Sequence, residues 1–214
     1  MAETPVGASP PARRARGRAS DSAATRQLII DIAAREFSER GYMATSLNDI
    51  VAGTGMTKGA LYWHFESKES VAVAVVHQMF ETWPAMLRGV IDSHDDALSA
   101  LVAVTYVAGE QFARDPVVRA SKRLMSELPP EALAKLPQPY VGWQHALAQL
   151  ITQGQQRGQI NATADPVGTA QVIVASFFGM QQVSQELSAR RDLAGRLDSF
   201  WALVLPQLQP ASPA

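Results

Sequence analysis

The sequence predicts an all-α protein, and three observations carry that prediction. Apolar residues recur at helical spacing along nearly the whole chain. Hydroxyl and carboxylate residues stand before these runs, and glycines follow several of them, as caps and stops should. Strand-like alternation bounded by turn residues is missing, so sheets have nothing to form from.

The elements follow in order. Residues 1–20, rich in proline and glycine, carry Arg13, Arg14, Arg16 and Arg18; such a segment buries too little surface to offset its ordering entropy and reads as an unstructured basic arm. The arm either touches phosphate or a minor groove or is simply solvated. A first helix is expected from a cap at Asp21 or Ser22, through Leu28, Ile29, Ile32, Ala33 and Phe37, to a stop at Gly41. Thr45 and Ser46 offer caps to a short second helix; Ser46 precedes Asp49 by three residues in capping-box spacing, and Gly53-Thr54-Gly55 breaks the helix. Thr57 caps a third helix with Ala60, Leu61 and Phe65 on one face, and Ser67 a fourth through Val71, Val75, Met79 and Phe80. Longer helices are expected over about 97–113, 117–127, 141–157, 167–189 and 192–205, making nine in all. The proline-rich stretch Leu128–Pro139 must be a loop, with one helical turn around Ala132–Lys135, and Pro206–Ala214, with three prolines, reads as a short unstructured tail.

Composition narrows the function. The 214 residues are 47% hydrophobic and 18% charged, with a net charge of -1, as in an ordinary globular protein of one or two domains. Cysteine is absent, which excludes disulfides, thiolate metal sites and cysteine nucleophiles. No apolar run approaches the roughly 20 residues that span a bilayer, and no apolar stretch follows the arginine-containing start as in a signal peptide. A cytoplasmic location without membrane contact is expected. Residues 1–68 hold nine Lys or Arg and seven Asp or Glu, against ten and thirteen in residues 69–214, so the small basic excess lies at the N-terminal end.

Two short helices joined by a glycine-containing turn, with a helix before them to pack on, are what a helix-turn-helix requires. The second must present small or polar residues at its start, because that end enters the major groove. Thr57, Lys58 and Gly59 supply a hydroxyl, a cation and a position where backbone can approach DNA; Tyr62, His64 and Lys68 lie where they can donate to phosphates.

The run from Thr45-Ser46-Leu47-Asn48-Asp49-Ile50-Val51 through Gly55-Met56-Thr57-Lys58-Gly59-Ala60-Leu61-Tyr62-Trp63-His64-Phe65 to Ser67-Lys68-Glu69 closely resembles the DNA-binding region of TetR-family transcriptional regulators. The resemblance implies that Thr45, Ser46, Tyr62, His64 and Lys68 contact phosphates, with Thr57, Lys58 and Gly59 nearest the bases. A narrower resemblance rests on Lys58–Phe65, on Asp115-Pro116-Val117-Val118-Arg119-Ala120-Ser121-Lys122-Arg123-Leu124 and on Pro139-Tyr140-Val141-Gly142-Trp143. These look like the γ-butyrolactone receptors of streptomycetes, repressors that leave operator DNA on binding a small lactone, furan or related signal. In that group a tryptophan at the place of Trp143 lies on the ligand pocket. Similar pseudo-receptors answer instead to antibiotics or their intermediates.

The implied organisation is a basic arm (1–20), a helix-turn-helix domain (21–68), a helical ligand-binding and dimerisation domain (69–208) and a tail (209–214). Trp143, Phe177, Phe178, Tyr106, Phe112 and Trp83 fit a core as well as a pocket. Gln181 lies one turn beyond Phe177, and Tyr140 three residues before Trp143, so each pairs an aromatic with a hydrogen-bonding group on one face. The candidate ligand residues are therefore Trp143, Tyr140, Tyr106, Leu124, Phe177 and Gln181, with Leu124 closing the second matching segment. The expected partners are double-stranded operator DNA, a small signalling ligand and a second copy of the chain, joined through the last two helices. No catalytic residue, cofactor or metal site is expected: His64, His77, His94 and His145 lack ligand spacing, and no nucleophile elbow occurs. The rival from another class is a helical enzyme or metabolite carrier.

Overall fold

The structure, a computed structural model, describes residues 11–138 and 140–210, the first ten of them by backbone alone. The described residues form ten helices and no strand: α1 (Pro11–Ala44), α2 (Leu47–Thr54), α3 (Lys58–His64), α4 (Lys68–Asp92), α5 (Ala97–Arg114), α6 (Pro116–Glu127), α7 (Pro130–Leu133), α8 (Val141–Gln156), α9 (Pro166–Ser188) and α10 (Leu193–Leu208). The all-α expectation holds; the tenth helix is α7, the single turn expected in the proline-rich loop.

Two boundaries differ from expectation. Residues 11–20 are the start of α1, where an unstructured arm was expected, and neither Asp21 nor Ser22 caps a helix. Pro11 suits a first turn, and the alanines and arginines after it are strong helix formers; residues 1–10 of the arm lie outside the described residues. At the other end α10 passes through Pro206 to Leu208. A proline so near a helix end removes one hydrogen bond, while burial of Leu208 and the bond from the Asn161 N–H to its carbonyl, 2.8 Å, hold the last turn. Residues 211–214 of the tail lie outside the described residues.

The expected stop at Gly41 occurs. Its φ of 84° and ψ of 175° belong to a region that only glycine occupies without strain, and the backbone turns there toward α2.

Two apolar cores result. The first joins Ile29, Ile30 and Phe37 of α1 to Ile50, Leu61, Phe65 and the first half of α4, including Val71 and Val75. The second unites α5, α8, α9 and α10 with the later half of α4, around Leu101, Phe112, Leu147, Ile151, Phe177 and Trp201. α4 crosses from one core to the other, and α6 bridges them, giving Ala120 and Leu124 to the first and Val118 to the second. The break expected before residue 69 is therefore spanned by shared helices. Pro84, inside α4, removes the N–H that would bond the Phe80 carbonyl and loosens the helix beside the larger core. Among the described residues no helix is long and apolar enough to cross a membrane.

Candidate DNA-binding and ligand-binding sites

The helix-turn-helix is built by local chemistry. Ser46 caps α2: its Oγ accepts the Asp49 N–H at 3.2 Å, and the Asp49 carboxylate accepts the Ser46 N–H at 2.8 Å. The hydrogen bonds from Ser46, with Arg40 at 3.2 Å, hold the Asp49 carboxyl down at about 2. Gly55, with φ 68°, closes α2 in the left-handed conformation. Thr57 caps α3 by accepting the Ala60 N–H at 3.3 Å.

Leu61 anchors α3 in the core and leaves its other faces to solvent. Thr57, Lys58, Gly59 and Tyr62 are exposed together, with open space around the Gly59 Cα and the Lys58 ammonium 5.9 Å from the centre of the Tyr62 ring. His64 is half-buried against Trp63, and Ser46 is exposed at the start of α2. Thr45 departs from its expected role: it is buried, and its hydroxyl donates to the Gly41 carbonyl at 2.8 Å, so it ties the turn together behind the surface. Lys68 is also turned inward, its ammonium 2.8 Å from the Tyr42 carbonyl and 4.2 Å from the Tyr42 ring centre. Trp63, 73% exposed, is a face residue of α3 that sequence reasoning passed over; an exposed tryptophan in a short helix was the available signal.

Behind this unit, α6 grips the end of α1. Arg123 donates to the Glu39 and Arg40 carbonyls, both at 3.2 Å, and to the Glu127 carboxylate at 2.6 Å. Glu127 in turn accepts the Tyr42 N–H at 2.6 Å. Burial pushes the Glu127 carboxyl up, but hydrogen bonds from Arg123 and Tyr42 outweigh it and leave the group below the usual carboxylate range. The guanidinium lies against Gly41, where a Cβ would collide with it.

Another face of the same turns of α6 lines a cavity of about 410 Å³ bordered by α4, α5, α6, α8 and α9. Its wall includes Phe80, Trp83, Pro84 and Leu87 of α4, Phe112 of α5, Lys122 and Met125 of α6, Trp143 of α8 and Phe178 of α9. The aromatics interlock edge to face: Trp143 stands 5.3 Å from Trp83, 5.0 Å from Phe177 and 5.4 Å from Phe178 between ring centres. Tyr140 precedes α8 with φ 71°, a strained conformation that sets its ring 4.5 Å from Phe178. The indole N–H groups of Trp83 and Trp143 are buried without a partner among the described residues.

Trp143 and Tyr140 are thus lining residues. Phe177 is fully buried behind Trp143, and Gln181, also buried, accepts a hydrogen bond from Lys122 without lining the cavity. Leu124 and Tyr106, expected on the ligand pocket, do not line the cavity. Leu124 follows Lys122 by two residues, about 200° around a helix, and packs in the N-terminal core. Tyr106 faces α10, donating its hydroxyl to Asp198; burial, then that carboxylate, pushes the phenol up to about 12. Sequence reasoning missed Lys122 as a lining residue, because a lone lysine on a polar helix carries no signal of the wall it will join.

Residues 29–75 match the family of bacterial regulatory proteins named tetR, and residues 95–210 match the tetracyclin repressor-like C-terminal domain. The chain belongs to the TetR family. The first match spans the helix-turn-helix, and the second takes in α5 to α10, the greater part of the cavity wall. This TetR-family chain is similar to the A-factor receptor protein of Streptomyces griseus, 34% identical over 184 residues, with 84% of this chain and 62% of the receptor covered. The chain therefore spans somewhat less than two thirds of that relative's length. A solved structure presented as the molecular basis for control of antibiotic production by bacterial hormones is 38% identical, with a TM-score of 0.79 over 87% of this chain and 98% of the other. A γ-butyrolactone receptor structure is 27% identical, with a TM-score of 0.68 over 89% and 90%.

Proposed function

We propose that this TetR-type regulator is a repressor that binds a palindromic operator as a homodimer and is released by a small signalling molecule, a γ-butyrolactone, furan or related compound, in control of antibiotic or secondary-metabolite genes. The observation that carries the reading is the double role of α6. Lys122 and Met125 line the cavity while Arg123 and Glu127 hold the end of α1 beside the helix-turn-helix. A molecule that moves α6 must move the DNA-reading unit or break this grip. Release then follows from linkage: the ligand lowers operator affinity by as much as it prefers the displaced conformer.

Thr57, Lys58 and Gly59 are assigned to the bases, and Ser46, Tyr62 and His64 to phosphates. The inward positions of Thr45 and Lys68 make them supports in this conformation. Val172, Val183 and Leu187 of α9 and Leu203 of α10 are exposed, which supports pairing of these helices with a second copy. Two recognition helices about 34 Å apart would then enter successive major grooves.

The test is a gel-shift titration on DNA upstream of the protein's own gene, with and without a culture extract containing candidate lactones or furans. A discrete, salt-sensitive shift abolished by the extract is expected. Failure to shift that DNA or a palindrome library would favour a helical enzyme or carrier.

A further inference from the structure

The helix-turn-helix unit carries little positive charge of its own. Residues 21–68 hold five Lys or Arg against six Asp or Glu, a net charge of -1. Two of those cations are already occupied: Arg40 pairs with Glu36 at 3.3 Å and Asp49 at 3.2 Å, and the Lys68 ammonium donates to the Tyr42 carbonyl. Residues 1–20 hold Arg13, Arg14, Arg16 and Arg18 against Glu3 alone, a net charge of +3, so the basic excess of the N-terminal end belongs to this segment. From Ala12 to Gln27 the apolar residues are alanines and one glycine, which leave little surface to bury against the core.

The backbone carries these arginines out beside the DNA-reading surface. α1 is helical from Pro11 to the break at Gly41. Among its side chains described from Asp21 to Leu28 none is buried, and burial begins at Ile29. Residues 11–28 therefore run outside the core for about 27 Å, at about 1.5 Å per residue. The Arg26 guanidinium lies 4.9 Å from the centre of the Phe65 ring, and Phe65 closes α3 directly after His64. α1 thus leaves the core at the end of the recognition helix and continues about 12 Å to Arg18 and about 20 Å to Arg13. Positions 14 and 18 share one face of α1, and positions 13 and 16 share another. Duplex DNA carries a phosphate charge about every 1.7 Å along its axis, so a basic helix of this reach meets several.

We propose that the first turns of α1, through Arg13, Arg14, Arg16 and Arg18, bind the phosphate backbone of the DNA flanking the groove that α3 reads. This rests on the helix-turn-helix being the operator-binding unit and adds a second contact element to it. The division of labour is electrostatic: the helix-turn-helix, near neutral, selects sequence, and the basic turns supply the attraction that any duplex offers a cation. Up to four phosphates per protomer are neutralised in this way, whatever the flanking bases. The bound site is correspondingly longer than the half-sites under the two recognition helices.

The experiment is a salt titration of binding to a duplex from upstream of the protein's own gene and to a random-sequence duplex of equal length. It compares the full-length protein with a variant combining Arg13→Gln, Arg14→Gln, Arg16→Gln and Arg18→Gln. The slope of log affinity against log salt should fall by about 3–4 per protomer on both duplexes, at about 0.9 per phosphate contact. Preference for the upstream duplex should remain, and a hydroxyl-radical footprint should lose its flanking protections and keep those at its centre. Because the four positions lie outside the core, the variant should melt with the unaltered protein. The corresponding four Arg→Lys changes should keep the slope, since a phosphate contact needs the charge. An unchanged slope and footprint in the Gln variant would overturn the proposal and leave operator binding by the helix-turn-helix standing, and a slope lost equally in the Lys variant would overturn the phosphate contact. Binding of neither duplex by the unaltered protein would overturn the operator reading and this proposal with it.

Discussion

Arg123→Ala tests whether the grip of α6 on α1 transmits the ligand's effect. The side chain makes two bonds to backbone carbonyls at 3.2 Å and one ion pair to Glu127 at 2.6 Å. It is 40% exposed, which places the ion pair in the range of about 0.2–1 kcal/mol. The carbonyl bonds are long and near solvent, so each contributes toward the lower end of about 0.5–1.5 kcal/mol. The sum is about 1–3 kcal/mol, and at about 2–4 °C of Tm per kcal/mol for a chain of this size the melting point should fall by several degrees. The Tyr42–Glu127 bond survives, so the fold should persist. The informative quantity is the ratio of operator affinities with and without the releasing extract, measured on the same variant, because stability loss common to both states divides out. Coupling of this kind is typically worth about 1–3 kcal/mol, or roughly 5–150-fold in affinity. Loss of Arg123 should shrink the ratio severalfold. A variant with a lowered Tm and an undiminished ratio would show that the message travels through α4 or another contact and would refute the reasoning.

Three further outcomes are expected. Lys58→Ala should weaken operator binding without changing the Tm, and should reduce the salt slope by about one if the lysine meets a phosphate, or relax base preference if it meets a base edge. Trp143→Ala should blunt ligand release and, by opening a void among packed rings, cost about 3–5 kcal/mol in chemical denaturation; full ligand response in a folded Trp143→Ala protein would remove the residue from the site. Asp49, held down at about 2, contributes stability that is present above its ordinary value of 3.8 and is lost as pH falls between the two. Asp49→Asn should therefore flatten the acid branch of the stability curve between about pH 4 and pH 2, measured by thermal melts, and an unchanged branch would count against the capping-box bonds as its source.

Sequence reasoning succeeded where the physics is local. The Ser46–Asp49 box, the Thr57 cap and the stops at Gly41 and Gly55 each involve atoms a few residues apart, so spacing alone identified the helix-turn-helix and its exposed face. It erred at residues 11–20, where a composition suited to an arm also contains good helix formers. The ligand residues were legible only in part. Trp143 came through resemblance and Tyr140 through its spacing from Trp143, and both line the cavity, whereas Leu124 and Tyr106 lie on helix faces that meet other neighbours.

By itself the sequence determined an all-α chain with a capped helix-turn-helix at its N-terminal end, because caps, stops and the 3.6-residue period act within one or two turns. Only the tertiary structure decided that α6 would touch both cores, that Arg123 would hold the end of α1, and that Lys122 would stand in an aromatic wall beside Arg190. Those outcomes depend on how helices distant in sequence rotate against one another. A turn of about 100° per residue carries Lys122 and Leu124, two positions apart, to opposite sides of one helix, and packing alone chooses which side meets the cavity.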